Sequence, residues 1–461
     1  MTHVSPAGAE PLLTRPPLLT RLRELPPVLP VLAVIVLLAL PLGPGGDGGA
    51  GPADAVSALV VLYCALRLVR ERRRPLSRTA VVLLGLPVIG LAVAATGASS
   101  PGAGLGGLGR YLQIFVLVPA AVLLLIRGRA DFRLLAWGFV GLAGWQGAIG
   151  VHQFLTGTGA SYQGEEIRAV GTFGAQDVMG MATVVSFGLV CAVGLALGRT
   201  SVRQGAVAAC CALALLVPLA LSFSRGAWIA TVVTIVVQLL LAGLRRALRV
   251  GAVVAALGVI LVGGFGVGSA MLQERVDSIT QVTDAPDQSV TDRYTMWAAA
   301  VGMWREHPLV GVGLKGFPEH RDAHASLALS AGSDTEGAGT GFVRQPLLSP
   351  HNMYLLILAE QGLIGLLALA GGWLALLVCG LRRLLRVRRA GSGLDCALVA
   401  CGLLVWQLTD FAYADIGGPS TVLTAVCFGL AAWWALASHG TEPPPGRTAP
   451  VREPAGKAAT R

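Results

Sequence analysis

The sequence predicts an all-α protein: a polytopic membrane helical bundle of about twelve transmembrane helices, with a large extracytoplasmic loop between helices 9 and 10. Three observations predict this fold class. Of the 461 residues, 54% are hydrophobic and only 13% are charged, whereas a soluble domain carries about 25% charged residues. The apolar residues come in long blocks, and the gaps between the blocks are short and carry arginine, glycine or proline. Most soluble folds are therefore excluded.

Twelve apolar segments approach the roughly 20 residues that a helix needs to cross the bilayer core. Nine of them fall within residues 28–269 and three within residues 352–438, on either side of the loop at 270–351. Residues 1–27 and 439–461 form two tails, and the second is predicted to be disordered because it is rich in proline and scattered charge. The segments lie near 28–43, 53–69, 79–97, 109–126, 134–155, 177–197, 204–222, 226–243, 250–269, 352–380, 394–412 and 420–438.

The distribution of basic residues predicts the orientation of the chain. If the amino terminus is cytoplasmic, 26 of the 35 lysine and arginine residues fall on the cytoplasmic side. Membrane proteins concentrate lysine and arginine in their cytoplasmic loops. We therefore expect a multi-pass protein of the cell (plasma or inner) membrane with both termini in the cytoplasm. The net charge of +10 then reflects orientation in a membrane and not an affinity for nucleic acid.

The first segment, 28–43, is short enough to be the core of a signal peptide. The stretch upstream of it, 11–30, is long, which favours an uncleaved membrane anchor. Both alternatives leave the orientation of the downstream helices unchanged.

The loop at 270–351 is too long for a simple connector, and loops of this size are usually functional or disordered. Residues 292–307 are predicted to form a helix, because the stretch opens with capping residues and ends before Pro308. One sector of this helix carries an aromatic stripe that suits either the membrane interface or packing on the bundle. Residues 331–341 are of low complexity and are expected to be mobile. The stripe consists of Tyr294, Trp297, Val301 and Trp304.

Nine basic residues fall on the outer side and are not explained by orientation. Arg225 is the most informative, because it lies in a hairpin of almost no length, at 221–228, between two apolar helices. A charge so close to hydrocarbon is either functional or a snorkelling contact to lipid headgroups. Arg168 and Arg293 share this face, and convergent guanidinium groups suit a pyrophosphate. The nine are Arg110, Arg168, Arg225, Arg275, Arg293, Arg305, Lys315, Arg321 and Arg344.

His351 ends the loop at the mouth of the tenth helix. That helix, 352–380, would span about 43 Å, so we expect its first turns to project outward or to bend near Gly362. His351 would then lie beside the arginines, where it could act as a general base or serve as a helix-capping residue. Glu360, a carboxylate within the apolar helix, is either a structural hydrogen-bonding partner or a substrate contact.

Two patterns that resemble ligand sites are better explained as structure. The glycine-rich stretch at 311–316 matches a nucleotide-binding spacing, but no strand precedes it, which favours a turn. His320 and His324, with Glu319 adjacent, have no third ligand and no assured helix, which favours a solvated loop over a metal site. All eight cysteines lie in apolar segments, which is typical of small buried side chains.

Several stretches together resemble the O-antigen ligase superfamily. They are Arg-Ala-Val-Gly-Thr-Phe-Gly at 168–174, Ser-Arg-Gly-Ala-Trp at 224–228, Asp-Arg-Tyr-Thr-Met-Trp at 292–297, Glu-His-Pro-Leu-Val-Gly-Val-Gly at 306–313, and Pro-His-Asn-Met-Tyr-Leu with Ala-Glu-Gln-Gly-Leu-Ile-Gly within 350–365. The resemblance is strongest over about 168–365. The superfamily includes ligases, repeat-unit polymerases and protein O-glycosylating transferases, and the sequence does not distinguish among them.

The resemblance implies a metal-independent glycosyltransferase that uses an undecaprenyl-pyrophosphate-linked glycan as its donor. Arginines at the positions of Arg225 and Arg293 are then implied to bind the pyrophosphate, and a histidine at the position of His351 to activate the acceptor hydroxyl. The further candidates for substrate binding are Arg168, Asn352 and Glu360. No cofactor or metal is expected. The expected partners are the lipid-linked glycan donor, a glycan or glycolipid acceptor and membrane lipids, with no nucleic acid.

Two other classes of protein remain as alternatives. A twelve-helix transporter would be expected to have two matching halves and ionisable residues near the midplane, which this sequence lacks. A non-catalytic scaffold would tolerate the loss of each arginine and of His351.

Overall fold

The computed structural model describes residues 26–41, 51–71, 76–162, 168–198, 201–248, 288–390, 393–418 and 420–437. Most of them lie in helices, and a small sheet belongs to the loop region. The helices are α1 (Leu29–Leu37), α2 (Pro52–Glu71), α3 (Arg78–Thr96), α4 (Pro101–Leu112), α5 (Val118–Leu125), α6 (Arg129–Thr156), α7 (Gly180–Leu197), α8 (Val202–Leu221), α9 (Arg225–Ala242), α10 (Gln288–Glu306), α11 (Phe317–His324), α12 (Met353–Ala390), α13 (Leu394–Asp410) and α14 (Thr421–Leu436). The strands are β1 (Ala160–Tyr162), β2 (Ser333–Gly337) and β3 (Thr340–Gln345).

The helices identify a polytopic helical membrane protein. Within the described ranges, eight helices are long and apolar enough to cross a membrane, counting α4 and α5 as one because a π-helical turn at Gln113–Leu117 joins them. The others of this group are α2, α3, α6, α7, α8, α9 and α12. Helices occupy eleven of the twelve predicted segments, and the remaining one, 250–269, lies outside the described residues.

Serine caps fix the start of several helices. The side-chain oxygens of Ser77, Ser100, Ser201 and Ser224 each accept a hydrogen bond from the backbone N–H group three residues later. A capping serine satisfies one of the N–H groups that the first turn leaves without a helical partner. The cap on Ser224 begins α9 at Arg225, and therefore sets the position of that arginine.

Polar joints lock the centre of the bundle. The amide nitrogen of Gln238 on α9 donates to the carbonyls of Val190 on α7 and Leu398 on α13, at 3.0 Å in both cases. The indole of Trp406 on α13 donates to Thr231 on α9 at 2.9 Å. Without these bonds the buried side chains of Gln238, Thr231 and Trp406 would each have an unsatisfied polar group. The bonds therefore fix the three helices in register. Helices α7, α9 and α13 are thereby held together.

Helix α12 is interrupted at Gly362, where the backbone adopts φ 62° and ψ −163°. A loop segment fills the gap. The N–H groups of Val312 and Gly313 donate to the carbonyls of Ala359 and Glu360, at 2.9 and 3.0 Å. On the other side of the gap, Leu363 N and Ile364 N donate to the carbonyls of Pro308 and Leu309, at 2.9 and 3.2 Å. The predicted bend near Gly362 is confirmed, whereas the helix continues to Ala390 and not only to residue 380.

The expectation that residues 331–341 are mobile is wrong. They form most of a β-hairpin, in which β2 pairs antiparallel with β3, and β1 pairs with the other edge of β2. An ion pair between Arg344 and Asp334, at 2.7 Å, lies across the hairpin. The strands consist largely of small and polar residues, which do not indicate a strand in the sequence. One of the pairing partners, β1, also lies about 170 residues upstream.

The two loop helices differ slightly from the prediction. Helix α10 begins at Gln288 rather than residue 292, and it packs on α12 through Met296, Ala299, Ala300 and Met303. The aromatic stripe lies beside this contact face, with Tyr294 60% exposed and the indole of Trp297 donating to the carbonyl of Pro350 at 2.8 Å. Whether the stripe faces the membrane interface or packs on the bundle stays a prediction. The stretch that contains His320 and His324 is helical after all, as α11.

Candidate active site

The candidate residues gather at one end of the bundle, which we call the loop end because residues 288–352 lie there. A single turn, residues 411–415 between α13 and α14, is the point at which two of their segments meet. On one side, Met353 N donates to the carbonyls of Phe411 and Ala414, at 2.8 and 3.0 Å. On the other side, a methyl group placed on Gly226 would lie 3.3 Å from Cβ of Tyr413. The turn therefore joins the start of α12, which follows His351, to the start of α9.

Arg168 reaches this end through its backbone. Its N–H and carbonyl groups exchange hydrogen bonds with Ala160, at 2.7 and 3.0 Å. The next residue, Ala169, donates to the carbonyl of Leu221 at 3.2 Å, immediately before the hairpin that carries Arg225. The side-chain oxygen of Gln153 accepts from Val170 N and Gly171 N and holds the segment in place. Arg168 and Arg225 are thus anchored to the same backbone corner.

Arg225 begins α9 after a connection of three residues, 222–224. Phe223 in that connection has a φ of 49°, in the left-handed region that few non-glycine residues adopt. The indole of Trp228 donates to the carbonyl of Leu219 at 2.7 Å, which closes the corner between α8 and α9. Arg225 itself is half-buried. The short hairpin predicted around Arg225 is confirmed.

Arg293 lies on α10, beside a firmly held carboxylate. Asp292 is buried and accepts hydrogen bonds from Ser330 N and Oγ, at 2.8 and 2.6 Å, and from the amide of Gln288, at 2.8 Å. Four residues further along, Trp297 binds the carbonyl of Pro350. Since these contacts lie on either side of Arg293 and Pro350 precedes His351, the helix is positioned against the segment that carries the histidine.

His351 has a φ of 48°, another left-handed conformation for a non-glycine residue. The capping role considered for it belongs to its neighbour: the side-chain oxygen of Asn352 accepts from Leu355 N at 3.0 Å. The amide nitrogen of Asn352 donates to the carbonyl of Ala412 at 3.1 Å. Both polar atoms of Asn352 are therefore engaged within the protein, and its binding of substrate stays a prediction.

Burial lowers the pKa of His351, and the nearby positive charge of Arg293 lowers it further. The carboxylate of Asp415 opposes this effect, since it favours the protonated imidazole. A histidine with a lowered pKa is neutral at physiological pH and can accept a proton. Arg293 and Asp415 are thus both close enough to act on His351. The imidazole therefore lies between a positive and a negative charge, where it can accept a proton.

Asp415 is a residue that sequence reasoning missed. It lies in Asp-Phe-Ala-Tyr-Ala-Asp-Ile-Gly-Gly-Pro-Ser, the short connection at 410–420. Two carboxylates at the end of an apolar helix, in a chain with 13% charged residues, are the signal that would have found it.

Glu360 does not lie on the surface of the site. It is 3% exposed, inside the interruption of α12, and one carboxylate oxygen accepts from Phe317 N at 3.3 Å. Of its two predicted roles, these contacts favour the structural one. Other basic residues of the loop end are held in ion pairs within the protein, namely Arg110 with Asp54, Arg321 with Asp322 and Arg344 with Asp334.

Asp177 joins the segment of Arg168 to the connection between α13 and α14, and we expect this joint to weaken as pH rises. Ser420 Oγ donates to its carboxylate at 3.3 Å, and burial raises the pKa of Asp177 to about 6. Because the folded chain holds this proton more tightly than the unfolded one, the stabilisation is complete below pH 3.8 and is lost as pH rises through about 6. Asp177→Asn should remove this part of the pH dependence of the melting temperature in detergent, whereas Asp322→Asn at an exposed position should not. Unchanged pH dependence in Asp177→Asn would contradict the expectation.

Residues 209–370 match the family model described as O-Antigen ligase. The matched range contains Arg225, Arg293, His351, Asn352 and Glu360, whereas Arg168 precedes it. No curated protein matches the chain.

Proposed function

Because the chain belongs to the O-antigen ligase superfamily through residues 209–370, we propose that it is an integral membrane glycosyltransferase of that type. It transfers a glycan from an undecaprenyl-pyrophosphate donor to a hydroxyl group of a polysaccharide or glycolipid. In this proposal the loop end faces the outside of the cell membrane and both termini face the cytoplasm. Ligation, repeat-unit polymerisation and protein O-glycosylation share the donor chemistry and differ in the acceptor.

The observation that carries the proposal is that the segments of Arg225 and His351 meet at the turn 411–415, with the segments of Arg168 and Arg293 next to them. Backbone contacts bring together the segments of Arg168, Arg225 and His351, and the electrostatic effect of Arg293 on His351 adds the fourth. Guanidinium groups offer fork-shaped pairs of donors that fit the oxygens of a diphosphate. Three arginines and one imidazole at a single end of a membrane bundle suit a reaction in which a lipid diphosphate leaves.

Each residue has a distinct proposed role in this reaction. Arg225 and Arg293 bind the diphosphate and neutralise the charge that develops on it as the bond to the sugar breaks. Arg168 binds the same group from the adjacent corner. His351 takes the proton of the acceptor hydroxyl as its oxygen attacks the sugar carbon. Fixed guanidinium groups supply the charge neutralisation that a metal ion provides in other transferases, so the proposed reaction is independent of metal.

A transporter remains the alternative from another class, and the interrupted helix α12 is the feature that it would use. Transporters often bind substrates and ions at the ends of broken helices. Here the carbonyls freed at the interruption accept hydrogen bonds from Val312 and Gly313, so the chain itself occupies that place. The interruption therefore gives the transporter no support.

Removal of divalent cations is expected to leave glycan transfer unchanged. The measurement uses the purified full chain, a defined lipid-diphosphate glycan and an acceptor, with and without a chelator. Readdition of magnesium serves as the control. A strict metal requirement would contradict metal independence and would direct attention to His320 and His324 of α11.

The substrates are best identified in a strain from which the gene is deleted. Mass analysis of lipid-linked and surface glycans should show an accumulated lipid-diphosphate glycan and a missing surface product. Unchanged levels of both glycans would contradict the proposed function. Accumulation of a small solute on one side of the membrane would favour the transporter.

A further inference from the structure

Buried polar atoms without partners are concentrated behind His351. They are the hydroxyl of Tyr111 on α4, both amide atoms of Gln361 on α12 and Oδ2 of Asp415. None of them has a hydrogen-bond partner of standard geometry within the described residues, although Tyr111 and Gln361 lie close enough to interact. These are four of the six such side-chain atoms in that part of the chain. An unsatisfied buried polar atom costs about 1–3 kcal/mol, and native proteins rarely leave one unpaired. Their concentration in one region indicates a small hydrogen-bonding ligand.

The same side chains are near neighbours. Tyr111 lies close enough to Gln361, Glu360 and Asp415 for all three to act on its hydroxyl. Asp415 also acts on His351 and on Glu360. Tyr111, Gln361 and Glu360 are only 2%, 1% and 3% exposed. Such an enclosed group of polar atoms is unsuited to a sugar, whereas water needs only two to four polar partners and little space.

An aromatic cluster borders this polar group and reaches the turn 411–415. The ring of Tyr111 lies 5.9 Å from that of Phe115, which in turn lies 5.1 Å from Trp373 and 5.6 Å from Phe428. Trp373 in turn lies 5.1 Å from the ring of Phe411 in the turn and 6.3 Å from the ring of Tyr354 at the start of α12. Since these rings offer few polar groups, water has no favourable path through the cluster itself.

Toward the loop end, by contrast, polar groups continue to the surface. Glu360 accepts a hydrogen bond from Phe317 N and feels the charge of Lys315, which is exposed. His351 is itself partly exposed on its other side. The buried polar group therefore connects His351 with a second point on the same surface.

We propose that Tyr111, Gln361 and Asp415 form a pocket that binds ordered water and carries the proton of the acceptor away from His351. This inference rests on the proposed function. As the acceptor oxygen bonds to the sugar carbon, its proton passes to the imidazole, and the electrons of the broken carbon–oxygen bond stay on the lipid diphosphate. The imidazolium then returns its proton through Asp415 and the bound water to solvent near Lys315. The histidine is neutral again, and no further reactant is consumed.

Two variants test the proton route by kinetics. Tyr111→Phe keeps the aromatic ring and removes the hydroxyl, and Gln361→Met replaces the amide by an apolar side chain of similar length. Each should lower kcat roughly tenfold, leave KM for the donor unchanged and regain activity when a small imidazole buffer reaches His351. Tyr63→Phe, at a tyrosine that is 40% exposed on α2, is the matched control and should behave as the wild type.

High-resolution density of the full chain in detergent tests the pocket independently of activity. Water bridging Tyr111 Oη, Gln361 and Asp415 is the expected result, and a dry pocket would overturn the proposal. Ordered water together with an unchanged kcat in both variants would overturn the proton route. If the wild type transfers no glycan from a lipid diphosphate, the proposed function and the proton route fall together, and the density alone then decides whether the pocket binds water.

Discussion

Replacement of Arg225, Arg293 or His351 by alanine is expected to abolish glycan transfer, with a loss of at least about 100-fold in rate for each. The arginine variants lose the neutralisation of the leaving diphosphate, and the histidine variant loses the acceptor of the proton. The measurement is transfer from a defined lipid-diphosphate glycan, with surface glycan profiles as the readout in cells. Insertion into the membrane and the yield in detergent should persist, because none of the three side chains lies in the core of the bundle.

Arg305→Ala is the matched control for these variants. Arg305 lies on the same helix as Arg293 but at its far end, where it is exposed. Its loss should leave the rate within about twofold of the wild type, since a surface charge contributes little to a site that it does not contact. Wild-type glycan profiles in all three site variants would defeat the assignment and favour a scaffold. Equal loss in Arg305→Ala would indicate a general effect of charge and not a site.

Gly362→Ala is expected to destabilise the protein more than any other glycine-to-alanine variant considered in this chain. The backbone of Gly362 lies in a region that is almost exclusive to glycine, and a methyl group there would lie 2.3 Å from the carbonyl carbon and oxygen of Leu309. Because the obstacle is backbone, relief requires expulsion of the loop segment from the interruption of α12. The carbonyls of Ala359 and Glu360 would then lose their donors. A loss of at least about 4 kcal/mol follows from this combination of strain and unsatisfied groups.

Gly371→Ala is the control within the same helix. A methyl group at Gly371 meets no atom within 4 Å, and alanine favours a helix by up to about 1 kcal/mol over glycine. Thermal unfolding in detergent should therefore separate the two variants, with Gly362→Ala lower and Gly371→Ala equal to or above the wild type. Similar melting temperatures for both would show that the loop segment is not clamped in the interruption.

The sequence predicted those features that depend on nearby residues. Apolar blocks of sufficient length identify membrane helices because the bilayer selects for hydropathy over about 20 consecutive residues. The bend at Gly362 followed from helix length, and the placement of Arg225 followed from a hairpin too short to displace it. Since such hairpins keep residues on the side where they begin, the candidate arginines and His351 could be expected at one end.

Features that depend on distant pairing were beyond reach. The third strand of the small sheet, β1, lies about 170 residues upstream of β2. The insertion of residues 308–314 into α12 depends on backbone carbonyls that only the bend exposes. The role of Asp415 depends on Tyr111, which lies about 300 residues upstream. Hydropathy and charge counts carry no information on which distant segments touch.

The central position of the turn 411–415 has a consequence for biogenesis. The proposed site draws on backbone from residue 160 onward, yet the element that joins its parts lies between α13 and α14 and leaves the ribosome after all the other segments of the site. An unfinished polypeptide can hold single arginines at the membrane surface but cannot assemble them around the imidazole. The proposed site is therefore completed in one step, when α13 and α14 insert.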